Sequence, residues 1–331
     1  MMAKMICMKT EKLIVMAVAT VMIMGLGVGS ISAADYPKRP IMLICPWGAG
    51  GGTDAVSRIL ATLLKKELGV PVNVVNRTGG GGAIGHTAMA TAKPDGYTIG
   101  MPTVEITMMH WMGLTKITYR DMTPICMVNF DPSGINVLTD SPWKTYKDLE
   151  NYVRANPGKL KDSGTGQGGI WHLAMAGWLK AVGLPPTAIR WIPSKGAAPA
   201  LQDLMAGGIE MSTCSLPEAA TLIEAGRVRP LAIMADKRDP KFPDLPTLKE
   251  MGINWSCGAW RGIAAPKGTP SQIVAVLERA LKKVNKSEDF IKFMKNRGYG
   301  LYWLDSKPFA EALAEADSAN GQIMKAAGIV K

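Results

Sequence analysis

Apolar residues follow two rhythms along this chain. Short runs at 41–44, 72–75, 97–101, 125–128, 135–138, 189–192, 209–212 and 231–235 read as strands. Between them, apolar positions recur at helical spacing. Val56, Ile59, Leu60, Leu63 and Leu64 mark one helix face, as do Trp171, Met175, Trp178, Leu179 and Val182. A tryptophan stripe at that spacing reads as core. Further helices are expected at 141–156, entered through Ser-Pro, at 199–206 and at 307–317. Another follows Thr269-Pro270, an N-cap with proline at the first helical position, and carries Ile273, Val276, Leu277, Ala280, Leu281 and Val284. Alternating strands and helices predict an α/β fold with mainly parallel sheets.

The junctions carry the informative residues. Cys45-Pro46-Trp47-Gly48-Ala49-Gly50-Gly51-Gly52-Thr53-Asp54 joins the first strand to the first helix, with Thr53 or Asp54 placed to be the N-cap. Glycines let the backbone approach a bound group, and the first helical amides lack internal partners and carry the positive dipole end. Such a turn suits a carboxylate or phosphate; the alternative is a tight turn whose glycines serve packing alone. Residues 76–85 and 162–169 repeat the design. If the three turns share a cleft, their amides converge on one anion. The turns 131–134 and a second crossing near Gly258 divide the chain into 35–132 with 256–331 as one lobe and 133–255 as an inserted lobe.

The N-terminus gives an address. Lys4, Lys9 and Lys12 precede an apolar run from 13 to 29, and small residues close it at 30–34. This predicts a signal peptide, residues 1–34, cleaved after Ala34 for export to the periplasm. A retained anchor is the alternative, disfavoured by the shortness of the run and its glycines. The chain of 331 residues has a net charge of +11, which suits acidic solutes or anionic surfaces, or is a solvated surface. No basic run with interleaved aromatics points to nucleic acid.

The chemistry excludes more than it offers. Cys45, Cys126, Cys214 and Cys257 are far apart in apolar contexts. They allow three pairings, and buried free thiols are the favoured reading. His86, His110 and His172 lack metal-ligand spacing, so no metal is expected. No turn has the lysine of a P-loop or the later acid of a dinucleotide fold, so no cofactor is expected. No G-x-S-x-G elbow is present. An exported two-domain α/β chain with anion-friendly turns and no catalytic set reads as a receptor for a small solute, not an enzyme.

In order along the chain, Tyr36-Pro37-Lys38-Arg39-Pro40, Gly50-Gly51-Gly52-Thr53-Asp54 with Arg58, Val75-Asn76-Arg77-Thr78-Gly79-Gly80-Gly81-Gly82 and Pro94-Asp95-Gly96-Tyr97-Thr98 stand out. So do Gly166-Gln167-Gly168-Gly169 with His172-Leu173, Asp244-Leu245-Pro246-Thr247, Trp260-Arg261-Gly262 and Ala265-Pro266-Lys267-Gly268-Thr269-Pro270. Together they resemble the periplasmic solute receptors of tripartite tricarboxylate transporters, the Bug proteins, over all of 35–331.

The resemblance implies a two-lobed clamshell of the type II-like periplasmic-binding-protein class. It implies a monomer that closes on a small organic acid and delivers it to the transporter's membrane subunits. It places Trp47, Gly48, Ala49, Gly51, Thr53 and Asp54 at the ligand on one lobe, with Thr103 of the 102–105 loop. On the other lobe it places Thr165, Gly168, Gly169, His172 and Ser194. Three positions depart from the family's pattern. Gly169 replaces a common serine, Ser194 a common tyrosine, and Trp47 a frequent phenylalanine. Glu105, near the cleft, opposes a second carboxylate unless it faces away. An aromatic acid or a monocarboxylate is therefore open. An exported esterase-like enzyme, or a sensor using the same clamshell, are the competing readings.

Overall fold

The computed structural model describes residues 36–330; the expected signal peptide lies outside them. In chain order the elements are β1 (Ile41–Cys45), α1 (Gly52–Leu68), β2 (Val72–Asn76), α2 (Ala83–Ala90), β3 (Thr98–Gly100), β4 (Met122–Pro132) and β5 (Gly134–Leu138). There follow α3 (Tyr146–Ala155), β6 (Lys161–Ser163), α4 (Ile170–Ala181), β7 (Arg190–Trp191), α5 (Ala197–Met205), β8 (Met211–Ser212), α6 (Leu216–Glu224) and β9 (Val228–Ile233). The chain ends with β10 (Gly258–Pro266), α7 (Ser271–Lys286), α8 (Glu288–Arg297), β11 (Leu301–Asp305) and α9 (Ser306–Ala326).

The strands form two sheets, ordered β11-β4-β10-β3-β1-β2 and β7-β6-β8-β5-β9. Each sheet with its helices is one lobe. The chain leaves the first sheet after β4 and returns to it at β10. The crossings lie side by side: Ser133 N–H donates to Cys257 O at 2.8 Å, and Met234 N–H to Ser133 O at 2.8 Å. Ser133 is fully buried and its hydroxyl donates to Thr213 O at 2.7 Å.

The sheets are mixed, not mainly parallel. β1 pairs parallel with β2 and β3, but β10 runs antiparallel to both β3 and β4, and β11 antiparallel to β4. In the second sheet β5 is antiparallel to β8 and β9. The returning strand β10 reverses direction because it comes back from the other lobe, not through a helical crossover.

Several boundaries move for identifiable reasons. The N-cap of α1 is Gly51, extended at φ −79° and ψ 172°, so Thr53 and Asp54 lie inside the first turn. The helix expected from Ser141 starts at Tyr146, because Thr145 and Asp148 form a capping box. The helix after Thr269 starts at Ser271, with Pro270 outside it. Cys214 to Pro217 is not only a turn: Ser215 caps α6 with Glu218 in a second capping box. The last helix runs on to Ala326, and β10, α8 and β11 were not anticipated. The four described cysteines are free thiols.

The tryptophan stripe of α4 is core. Trp178 is fully buried, stands edge-on to Tyr146 at 6.0 Å, and donates its Nε1–H to Tyr146 Oη at 2.9 Å. Trp178→Ala removes a large buried side chain and the donor to Tyr146 Oη. It is expected to cost about 3–5 kcal/mol of unfolding free energy, read by denaturant titration.

Candidate functional site

A cleft opens between the sheets at the carboxyl end of β1, the usual ligand position in open α/β sheets. Its first wall is the 45–54 turn. Asp54, facing back from α1, accepts from Gly50 N–H at 3.0 Å, Arg58 Nε at 2.9 Å and Asn76 Nδ2 at 2.9 Å. Asn76 Nδ2 also donates to Trp47 O at 2.9 Å. Burial works to raise the Asp54 pKa, but the bonds from Arg58, Gly50 and Asn76 outweigh it and the net shift is downward. This knot fixes the loop at the start of α1, where the amides of Gly52 and Thr53 have no partner within the helix.

Behind those amides lies Arg261, 1% exposed. β10 shifts register between Arg261 and Gly262, a bulge that aims the side chain. Its Nε donates to Thr53 Oγ1 at 3.1 Å. Nη1 donates to both Asn129 and Asp131 of β4, and Nη2 to Glu218 Oε1 of the other lobe at 3.2 Å. Burial pushes the Glu218 carboxyl up, and Arg261 works against that rise. A Cβ on Gly52 would lie 2.5 Å from Arg261 Nη2 and 3.0 Å from Glu218, so only glycine fits there.

A second chain of bonds crosses the cleft. Trp47 Nε1 donates to Thr103 Oγ1 at 3.1 Å, Thr103 Oγ1 to Glu105 Oε2 at 2.5 Å, and Ile170 N–H to Glu105 Oε1 at 3.2 Å. Burial raises the Glu105 pKa. Beneath, His86 Nδ1 lies 2.8 Å from Gly82 O and Nε2 accepts from Thr103 N–H at 3.1 Å. That pairing assigns the proton to Nδ1, and burial lowers its pKa to about 4, so the ring is neutral.

The lobes meet closely around this space. A Cβ on Gly48 would come 3.6 Å from Lys195 O, and one on Gly166 within 2.8 Å of Gly81 Cα. The space between them is small, about 30 Å³. A larger apolar hollow of about 610 Å³ lies near Phe130, Leu173 and Trp255. The smaller cleft is the better candidate, because free helical amides and buried charge converge on it.

The described residues contain no group of three or more His, Cys, Asp or Glu arranged to hold a metal. None of the described helices is long and apolar enough to cross a membrane.

Residues 56–329 match the family described as tripartite tricarboxylate transporter family receptor. The chain belongs to that family. It is 33% identical over 302 residues to the UPF0065 protein in the gbd 5' region of Cupriavidus necator, covering 90% of both chains. Among solved structures it resembles the periplasmic binding protein BugD, with 32% identity, a TM-score of 0.84, and coverage of 89% of this chain and 100% of that one. It also resembles an R. palustris protein solved with adipate, with 28% identity, a TM-score of 0.85, and coverage of 89% and 99%.

In this receptor, Trp47, Gly48, Gly51, Thr53, Thr103 and Thr165 line the cleft. Ala49 is exposed at the loop tip, and Asp54 faces the turn's own interior. His172 Nδ1 accepts from Gly168 N–H at 3.0 Å, and its ring stacks on Trp191 at 4.8 Å. Burial lowers its pKa to about 4. It therefore braces the third turn from behind. Gly169 is the N-cap of α4, and a Cβ there would lie 2.5 Å from Thr165 Oγ1. Ser194 Oγ donates to Gly196 O at 2.7 Å, and its N–H to Thr165 O at 2.8 Å, so it shapes the loop behind Lys195. Not anticipated as site residues were Glu218, Lys195, Trp260 and Arg261, which also line the cleft. An arginine inside the apolar 258–266 run was the available signal, since a buried cation needs partners. Ser215-x-x-Glu218 was the other, as a capping box.

Two outcomes follow. Arg261→Met leaves Asp131 and Glu218 buried without their cation and is expected to cost about 3–5 kcal/mol, by denaturant unfolding. Asp54→Ala is expected to cost about 1.5–3 kcal/mol near neutral pH. Because the folded pKa is lowered from 3.8, that advantage of the wild type is present above 3.8. It is lost as pH falls through the lowered value, which unfolding curves at several pH values would read.

Proposed function

We propose that this chain is an exported receptor that binds a small organic carboxylate between its lobes and delivers it to the membrane subunits of a tripartite tricarboxylate transporter. The observation carrying the reading is the start of α1 in an interlobe cleft, where the Gly52 and Thr53 amides have no partner within the helix and stand beside the Thr53 hydroxyl. Two similar proteins support the ligand class: the R. palustris protein solved with adipate, and MatC from Rhodopseudomonas palustris, solved with malate. The lobes are 35–132 with 256–331 and the inserted 133–255, which accords with one outward and one return crossing. The receptor acts as a monomer in the periplasm after cleavage near Ala34; a mature N-terminus at Met1 or Met2 contradicts this.

Ligand enters when the lobes part and shifts the population toward a closed form. The carboxylate lies over Gly51, Gly52 and Thr53, with Trp47 beside the carbon skeleton. No turnover is expected. Thr103, the hydroxyl nearest a histidine in the cleft, faces a ring nitrogen already taken by its own N–H.

Thr53→Ala is expected to weaken binding by roughly 10- to 100-fold, since a bond to a charged group is worth about 1.5–3 kcal/mol. Trp47→Ala is expected to cost aromatic acids more than small aliphatic ones. Calorimetric titration against a panel of organic acids checks both, and unchanged affinity in both variants contradicts the site.

A further inference from the structure

We propose that Glu105 selects the ligand's charge, occupying from within the chain the place at the second lobe that a second ligand carboxylate would take. The cleft therefore accepts monocarboxylates ahead of dicarboxylates. This rests on the receptor reading above.

Glu105 belongs to the first lobe, in the one-turn helix Val104–Thr107. Its side chain is 3% exposed and reaches across to the N-terminus of α4, where Oε1 accepts from Ile170 N–H at 3.2 Å. An anion is favoured there by the free amides and the dipole. α4 cannot supply its own cap. Its N-cap is Gly169, and Thr165 fills the space a side chain would need. The other Glu105 oxygen is held by Thr103 Oγ1 at 2.5 Å. The carboxylate is thus fixed at both oxygens, one from each lobe.

The buried charges around it leave no free buried cation for a second ligand anion. Arg261 is the buried cation of the cleft, and Asp131 and Glu218 already engage it. Lys195 is exposed at the rim. Glu105 lines the same small space as Gly51, Gly52 and Thr53. A ligand carboxylate over that turn consequently sends the rest of the molecule toward Glu105. A neutral tail is accepted there, whereas a second carboxylate meets a like charge in a desolvated site, which is costly.

The test is calorimetric titration of the wild type and Glu105→Gln with matched acids: hexanoate against adipate, and benzoate against isophthalate. The wild type is expected to bind each monoacid about tenfold or more tightly than its diacid. Glu105→Gln keeps an acceptor for Ile170 N–H and removes the charge. It is expected to shrink that ratio by about tenfold. A purely structural role would lower both affinities together. A wild type that prefers the diacids overturns the proposal and leaves the receptor reading standing, whether or not the variant folds. A ratio unchanged in Glu105→Gln also overturns it. Binding of none of the four acids by the wild type overturns both.

Discussion

A guanidinium buried in a β-strand cannot shed its charge, so the structure around it must supply partners. Arg261 shows what this demands. Asn129 and Asp131 on the neighbouring strand take one nitrogen, Thr53 on α1 takes another, and Glu218 on the opposite lobe takes the third. Gly52 has no side chain because the guanidinium lies where one would be. Asp131 is steadied in turn by Asn129 Nδ2 at 2.9 Å and Gly300 N–H at 2.8 Å. Removing Arg261 would leave two carboxylates in low dielectric, which is the larger energy, not the attraction itself. The network also ties the start of α1 in one lobe to a helix of the other, so the position of the 45–54 turn and the approach of the lobes are mechanically joined.

Closure uses backbone as much as side chains. Gly81 faces Gly166, and Gly48 faces Lys195 O. A side chain on Gly166 would hold the 79–82 and 164–169 turns apart. Glycine at such places permits close approach across a cleft, which differs from its use in a left-handed turn. With the lobes this close, Glu105 reaches the start of α4 and accepts from Ile170 N–H.

Local elements were legible in the sequence because local physics makes them. The run at 41–44, the glycine turn and the face of α1 from Val56 to Leu64 follow from burial and helical spacing. So does the Trp171 and Trp178 stripe. The errors lie where two signals compete over a few residues. Thr53 and Asp54 looked like caps, but Asp54 is drawn back to Gly50 N–H and the cap falls on Gly51. The mixed sheets were hidden because antiparallel pairing of β10 with β4 joins residues about 130 positions apart. That same long-range pairing brings Arg261 to Thr53, so the centre of the cleft could not be read from spacing. His172 was placed at the ligand by resemblance; here its ring faces Trp191 and the Gly168 amide.

A crystal structure of the protein with a bound organic acid tests most directly where the carboxylate sits. The expected result has carboxylate oxygens within hydrogen-bond distance of the Gly52 or Thr53 amide, with Arg261 still bridging Asp131 and Glu218. An acid bound in the apolar hollow beside Phe130 and Trp255, with no contact to the start of α1, would contradict the site.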